Sequence, residues 1–257
     1  VIDCNESHVI VDEVVSVGVP QKLFGRGPVS GPRFTDRRSF GTRSLDVKKT
    51  TILDDATRVE LIHKTNLDDA LACAKIEVDF IGFIFYKKSP RFIDVNEAKT
   101  ICEYLSNYKI KKVGVFVDEI PYKINQIADY IGLDFVQLHG GETPELVNKI
   151  NIKKIKAFSV KSKGGIKYLD YKVDYWLFDT FDKNLHGGTG RTFDWSLLSD
   201  ISNRDKIIIS GGLSEDNIID AVKKTEANFF DICSGVEKSP GRKDIKKLQT
   251  IVRLIKL

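Results

Sequence analysis

From Arg58 to its end, the chain alternates short apolar runs with amphipathic stretches. Runs such as IGFIF, VGVFV and KIIIS are apolar at almost every position, which is typical of parallel strands that are buried on both faces. The stretches between these runs place apolar residues three and four positions apart, as helices with one buried face do. The alternation therefore predicts repeated strand–helix units around a parallel sheet.

The pattern predicts eight strands and six helices. We expect the strands at Arg58–Ile62, Asp79–Phe85, Lys112–Val117, Asp134–Leu138, Lys154–Ser159, Tyr175–Asp179, Lys206–Ser210 and Phe229–Ile232. We expect the helices at Leu67–Lys75, Val95–Tyr108, Pro121–Ile131, Pro144–Asn151, Glu215–Lys224 and Asp244–Ile255. Eight strands in about 200 residues close most naturally into a single (β/α)8 TIM barrel of the α/β class, with a doubly wound open sheet as the alternative. A barrel places its chemistry at the carboxyl ends of its strands.

The first 57 residues differ in composition from the rest. Between Gln21 and Leu45 basic residues outnumber acidic ones, and glycine and proline interrupt any regular pattern. We therefore expect residues 1–57 to be a flexible N-terminal extension, disordered or an artefact of the gene's reading frame, ahead of a barrel domain over residues 58–257. A targeting or anion-binding arm is the alternative, but Asp3 and Glu6 spoil the pattern of a transit peptide.

Composition narrows the classes of protein and partner. With 42% hydrophobic and 30% charged residues the chain can bury a core, which excludes a wholly disordered protein. The net charge of +4 suits a small anionic ligand but does not indicate a nucleic-acid partner. No apolar run approaches about 18 residues, so we expect no membrane span. The start of the chain lacks the pattern of a secretory signal, so we expect a cytoplasmic protein. The 4 cysteines include no C-x-x-C pair, so we expect reduced thiols and no zinc site.

Two glycine-containing loops follow the last two predicted strands, where barrels commonly bind phosphate. The sequence SGGLSE follows the seventh strand, and CSGVE follows the eighth. Glycine lets the backbone approach an anion, and the N-terminus of a following helix favours negative charge. Either loop alone would be an ordinary turn. Because the motif occurs at adjacent strands, it predicts one phosphate site formed by Gly211, Gly212, Ser234 and Gly235.

Three further side chains are expected at the mouth of the barrel. Asp179 ends the strand WLFDT, where burial disfavours the ionised carboxyl and so suits a general acid; a helix cap or a salt bridge to Arg191 is the alternative. Arg91, in SPRF, is placed to clamp a carboxylate through two hydrogen bonds, with a solvated basic loop as the alternative. His139 ends FVQLHG and is expected either to line the cavity or to be a hydrogen-bonded wall residue.

Seven sequence motifs occur in the order of one known enzyme family. They are IGFIFYKKSPRFI, KVGVFVDE, LDFVQLHGGE, LFDT, HGGTGRTFDW, IISGGLSEDNI and DICSGVEKSPGRKD, and they lie within residues 58–257, the part of the chain that the resemblance covers. The chain thereby resembles phosphoribosylanthranilate isomerase of tryptophan biosynthesis. The resemblance implies a (β/α)8 barrel without metal or cofactor that catalyses the Amadori rearrangement of an N-linked ribose 5-phosphate. Its partner would be this phosphorylated small molecule, and we expect a monomer or a homodimer.

The implied chemistry requires two proton-transfer groups on facing strands. A general acid protonates the ring oxygen of the furanose, the ring opens to a Schiff base, and a general base removes the proton from C2. By resemblance, Asp179 matches the acid, Arg91 the residue that holds the anthranilate end, and His139 the cavity histidine. Gly212, Ser234 and Gly235 match the phosphate loops of the family.

The first strand departs from the family pattern. The family reads roughly K-I-C-G there, with the cysteine as the base, whereas this chain has Glu60-Leu61-Ile62-His63. Ile62 takes the position of the thiol, and an isoleucine cannot accept a proton. Three interpretations stay open: a defective or mis-joined gene product, a substitute base at Glu60 or His63, and a non-catalytic barrel that binds a phosphorylated sugar.

Overall fold

A computed structural model describes residues 58–62, 66–160, 167–180 and 192–256, with the backbone alone for 58–62. The expectations for residues 1–57, for His63 and for the side chains of Glu60 and Ile62 lie outside the described residues. Eight parallel strands close into a barrel, in which each strand pairs with the next along the chain and β1 (Arg58–Ile62) pairs with the eighth. The predicted (β/α)8 TIM barrel is therefore confirmed, and the open sheet is excluded.

The remaining barrel strands are β2 (Phe80–Ile84), β3 (Lys111–Phe116), β4 (Phe135–Leu138), β5 (Lys153–Val160), β6 (Tyr175–Thr180), β7 (Ile207–Ile209) and β8 (Phe229–Asp231). All eight strands begin and end within about one residue of the positions that the apolar runs predict. A short antiparallel hairpin follows β8 and was not predicted. It consists of β9 (Glu237–Ser239) and β10 (Arg242–Lys243).

The helices agree less closely with the predicted bounds. They are α1 (Leu67–Lys75), α2 (Val95–Tyr104), α3 (Pro121–Ile131), α4 (Pro144–Val147), α5 (Ile218–Thr225) and α6 (Ile245–Lys256). The first and third helices match the prediction, α2 continues only as a 3-10 turn, α4 is a single turn, and α5 begins three residues late. The described parts of the connections after β5 and β6 contain 3-10 turns, at Tyr168–Asp170 and Trp195–Leu198.

The two helices that match begin or end at residues suited to those positions. Asn66 precedes α1 and accepts a hydrogen bond from the backbone N–H of Asp69 at 2.9 Å, which satisfies one of the free donors of the first turn. α3 begins with Pro121 and ends at Gly132, whose φ of 77° is left-handed. These local signals fix the helix ends independently of the barrel.

Alternate residues of each strand face the barrel axis and fill it in layers. Near the amino ends four aromatic rings pack edge to face or tilted, with centroids 4.8 to 6.5 Å apart: Phe80, Phe135, Tyr175 and Phe229. The layer above is aliphatic and contains Val113, Ile155, Leu177 and Ile208. Because these residues fill the lower barrel, the next inward residues along β6, β7 and β8, which are Asp179, Ser210 and Asp231, meet at the carboxyl ends.

In the described part of the chain, no helix combines the length and the apolar composition that crossing a bilayer requires.

Candidate active site

An open cavity lies at the carboxyl ends of the strands, with about 670 Å³ of empty space when its solvent-filled mouth is included. Residues at the ends of β2, β3, β4, β6, β7 and β8, with the loops that follow them, form its wall. Six of the seven residues that the sequence singled out line it: Arg91, His139, Asp179, Gly211, Gly212 and Ser234. The seventh, Gly235, directly follows Ser234 in the same loop. The structure thus brings the residues of distant motifs to one place.

Asp179 is a buried carboxyl in the cavity wall. It lies on β6 and is 4% exposed, and its Oδ1 accepts a hydrogen bond from the backbone N–H of Thr180 at 2.7 Å. Its Oδ2 lies 3.3 Å from Nε2 of His139. The alternative salt bridge to Arg191 lies outside the described residues. Position and burial both suit a group that transfers a proton to a bound molecule.

His139 is held from the side opposite Asp179 by a residue that the sequence did not single out. Gln137 is fully buried on β4, and its Nε2 lies 2.9 Å from Nδ1 of His139. With the amide nitrogen as donor, Nδ1 accepts and the ring proton sits on Nε2, directed at Asp179. The period of two along a strand is the signal that would have placed Gln137 beneath His139.

Arg91 is fixed at the cavity rim by Glu237. Its Nη2 lies 2.7 Å from Oε2 of Glu237, and its Nε lies 3.0 Å from Oε1. Although burial opposes it, the hydrogen bond from Arg91 and the charge of Lys243 hold the pKa of Glu237 below its usual value. The Arg91 side chain is only 13% exposed. A solvated basic loop therefore does not describe Arg91, although its expected contact with a substrate carboxylate stays a prediction.

The two glycine loops pack against each other. Gly211 and Gly212 have φ values of 89° and 66°, which are left-handed and strained for other residues. A Cβ on Gly235 would lie 1.9 Å from the carbonyl oxygen of Leu213, in the other loop. The helix expected directly after the first loop begins only at Ile218, so that part of the prediction is wrong. A 3-10 turn does begin directly at Ser234 in the second loop.

We expect Gly235→Ala to weaken the binding of a phosphorylated ligand about tenfold or more. The added methyl group must displace one loop from the other, and a lost hydrogen bond to a charged group costs about 1.5–3 kcal/mol. Calorimetric titration with a phosphate-bearing ligand would measure the change. Gly141→Ala is the matched control, because its Cβ would lie at an ordinary 3.6 Å from Asp118. Equal affinities in the two variants would contradict a phosphate site at these loops.

A second buried carboxyl, which the sequence analysis missed, ends β8. Asp231 is 2% exposed, lines the cavity, and accepts a hydrogen bond from the Ser210 hydroxyl at 2.9 Å. Burial, followed by the charge of Asp179, raises the pKa of Asp231 to about 7. The signal was present in the sequence, since Asp231 opens DICSGVE at the end of a predicted strand as Asp179 ends another.

The structure describes only the backbone of β1, the strand that departs from the family pattern. The register pairs Glu60 with Phe80 on one side and with Asp231 on the other, and it pairs Ile62 with Gly82. Among the described residues, no group of three His, Cys, Asp or Glu side chains is arranged to hold a metal ion. Burial raises the pKa of the cavity thiol Cys233 to about 12, so this cysteine is protonated near neutral pH.

Comparison with known proteins gives matches over the barrel. The family model for N-(5'-phosphoribosyl)anthranilate (PRA) isomerase matches residues 60–254. The N-(5'-phosphoribosyl)anthranilate isomerase of Pelobacter propionicus is 38% identical over 200 residues, which are 77% of this chain and 95% of that protein. The crystal structure of the Thermotoga maritima enzyme is 37% identical, with a TM-score of 0.69 over 78% of this chain and 98% of that one.

A further solved structure shows the same kind of enzyme in complex with reduced 1-(o-carboxyphenylamino)-1-deoxyribulose 5-phosphate. It is 35% identical to this chain, with a TM-score of 0.67, and the match covers 78% of this chain and 98% of that one. That ligand carries both a phosphate and an aromatic carboxylate. These are the two anionic groups for which the glycine loops and Arg91 were predicted.

Proposed function

The chain belongs to the N-(5'-phosphoribosyl)anthranilate isomerase family, and we propose that the cavity at the carboxyl ends of β1–β8 is where it performs this isomerisation in tryptophan biosynthesis. The reaction is an Amadori rearrangement that yields the 1-deoxyribulose 5-phosphate product. One observation carries the assignment of the site: the buried carboxyl of Asp179 shares one cavity with both glycine loops.

Two ends of the cavity hold the two anionic ends of the substrate. The backbone N–H groups of Gly211, Gly212, Ser234 and Gly235 bind the phosphate, since the glycine residues let the backbone come close to an anion. Arg91 binds the carboxylate of the anthranilate ring, and Glu237 keeps the guanidinium in place before the substrate arrives. Binding at both ends sets the ribose ring between them, beside Asp179.

Asp179 protonates the ring oxygen of the ribose. The proton relieves the negative charge that develops on this oxygen as the C1–O bond breaks and the nitrogen lone pair forms the Schiff base. His139 is a substrate-binding residue whose Nε2 orients the carboxyl of Asp179 toward the cavity. No metal or cofactor is needed in these steps, because each step moves a proton between a side chain and the substrate.

A non-catalytic barrel that binds a phosphorylated sugar, or a defective subunit of the pathway, is the second candidate. One observation favours it: Ile62 stands where the family pattern has the catalytic cysteine. Such a protein would keep the glycine loops and Arg91 for binding while lacking turnover. The two candidates therefore differ in turnover and agree in ligand affinity.

We expect the purified chain to convert N-(5'-phosphoribosyl)anthranilate in an assay coupled to the next step of the pathway. The affinity for the reduced product analogue is measured beside it by calorimetry. Turnover together with binding supports the isomerase. Binding without turnover supports the non-catalytic barrel, and absence of both contradicts the proposed site.

We further propose a cytoplasmic monomer or homodimer that binds no nucleic acid. A Thermotoga maritima relative is described as a dimeric protein from which monomers were generated, so this fold supports both states there. The described cysteines are free thiols, which suits a reducing compartment. Light scattering of the purified chain gives its state of association.

A further inference from the structure

We propose that Asp231 is the second proton-transfer group of this site, the general base that removes the C2 proton opposite the acid Asp179. The inference rests on the proposed function and adds a residue to it. Asp179 and Asp231 lie on β6 and β8, the two strands that flank β7, and both carboxyl groups line the same cavity. Both residues are buried, at 4% and 2% exposure.

One carboxyl oxygen of Asp231 accepts a hydrogen bond, and the other is buried without a donor. The hydroxyl of Ser210, at the end of the intervening β7, donates to Oδ2 at 2.9 Å. In the described part of the chain no group hydrogen-bonds to Oδ1. A buried carboxyl oxygen without a donor requires an explanation in a native structure. A bound substrate with a C–H or O–H group at this place supplies one.

The charges around Asp231 suit a base that works near neutral pH. Asp179 faces it from β6, His139 from β4 and Lys243 from β10, and the backbone register places Glu60 of β1 beside it. Burial and the charge of Asp179 raise its pKa to about 7, while Ser210, His139 and Lys243 act in the opposite direction. Because the two buried carboxyl groups share one proton in this range, the form with that proton on Asp179 leaves Asp231 ionised, and this form starts the reaction.

Ile62 cannot ionise, and the other candidates for the base whose side chains the structure describes are engaged or hold their proton. Ile62 carries no titratable group, and the thiol of Cys233 has its pKa raised to about 12. Glu237 holds Arg91 and Lys243. His139 is bonded on Nδ1 by Gln137 and directs Nε2 to Asp179. Among the carboxyl, thiol and imidazole groups that the structure describes in the cavity lining, Asp231 is left for the task.

The two carboxyl groups close a proton cycle. Asp179 gives its proton to the ring oxygen as the C1–O bond breaks and the C1–N bond becomes a protonated Schiff base. The Asp231 carboxylate then takes the C2 proton, the C2–H electrons form the C1–C2 double bond, and the iminium electrons return to nitrogen. In the final tautomerisation Asp231 returns its proton to C1 and Asp179 receives that of the C2 hydroxyl. The enzyme regains its starting state, with one proton on the pair.

Asp231→Asn tests the proposal, because the amide keeps the size of the side chain and an acceptor for Ser210. We expect kcat to fall about a hundredfold or more while KM and the affinity for the reduced product analogue stay within about threefold. In the wild type, kcat/KM should fall as the pH drops through the pKa of Asp231, because the protonated carboxyl cannot accept the C2 proton. That acidic limb should be absent from the residual activity of the variant. Asp205→Asn, an exposed change ahead of β7, is the matched control.

The isotope effect at C2 gives a readout that a purely structural role would not move. With substrate deuterated at C2, Asp231→Asn should show a larger isotope effect on kcat than the wild type, because removal of the C2 proton becomes the slow step, and Asp231→Glu should restore part of kcat. Unchanged kcat in Asp231→Asn, a rise in KM alone, or an acidic limb that persists would overturn the role of Asp231. A wild type that binds the analogue without turnover would instead refute the isomerase, and the base with it.

Discussion

Asp179→Asn lowers kcat of the isomerase by roughly 10²- to 10⁴-fold and leaves the affinity for the reduced product analogue within a few-fold: this is the expected result for a general acid. An amide cannot give up the proton that the ring oxygen needs. It can still accept the hydrogen bond that Thr180 donates to Oδ1, so the end of β6 keeps its geometry. Steady-state kinetics in the coupled assay and calorimetry with the analogue measure the two effects.

The same variant reports on its neighbour. Because the charge of Asp179 is one cause of the raised pKa of Asp231, its removal should lower that pKa toward the usual value of a carboxyl. Carbon-detected NMR titration of the labelled side chain would follow the change. Asp170→Asn, an exposed aspartate ahead of β6, is the control and should alter neither quantity. Joint loss of turnover, analogue binding and thermal stability in Asp179→Asn would assign Asp179 a structural role instead.

The barrel could be predicted from the sequence because β2 to β8 are buried on both faces along most of their length. Every residue of the strand FIGFI is buried, so the apolar run in the sequence begins and ends with the strand. Helix limits depend on local hydrogen bonds that periodicity does not report. The side chain of Asn217 bonds to the backbone of Gly212 and Ser214, which holds the preceding residues in a turn, so α5 begins only at Ile218.

The site residues that lie at strand ends could be predicted from the sequence. Contacts between side chains that are far apart in the sequence could not. His139 and Asp179 end recognisable strands, so the barrel rule placed both at the mouth. Glu237 is 146 residues from Arg91 in sequence, and no local pattern shows that the two side chains meet. The same rule applies to Asp231, because it ends β8. The adjoining CSGVE has the glycine and hydroxyl pattern of a phosphate loop, and that pattern assigns no role to the carboxyl that precedes it.

The loop that begins with His139 depends on a buried ion pair outside the cavity. Lys156, on β5 and 2% exposed, places Nζ 3.0 Å from Glu142 and within 3.1 Å of the carbonyl oxygens of Leu138, Gly140 and Ala157. Glu142 in turn accepts hydrogen bonds from the backbone N–H groups of Asp118 and Gly140. The pair thus ties the end of β4 to β3 and β5, so the position of the histidine is fixed from beneath.

Lys156→Met is expected to lower the free energy of unfolding by about 3–5 kcal/mol, because it leaves the Glu142 carboxylate buried without its cation. Urea denaturation measures the loss. Lys153→Met, the same change at an exposed position of β5, should stay within about 0.5 kcal/mol of the wild type. Adding Glu142→Leu to Lys156→Met removes the orphaned charge and should recover part of the stability. A single variant as stable as the control would mean that the backbone donors alone hold Glu142, and the loop would then not need the lysine.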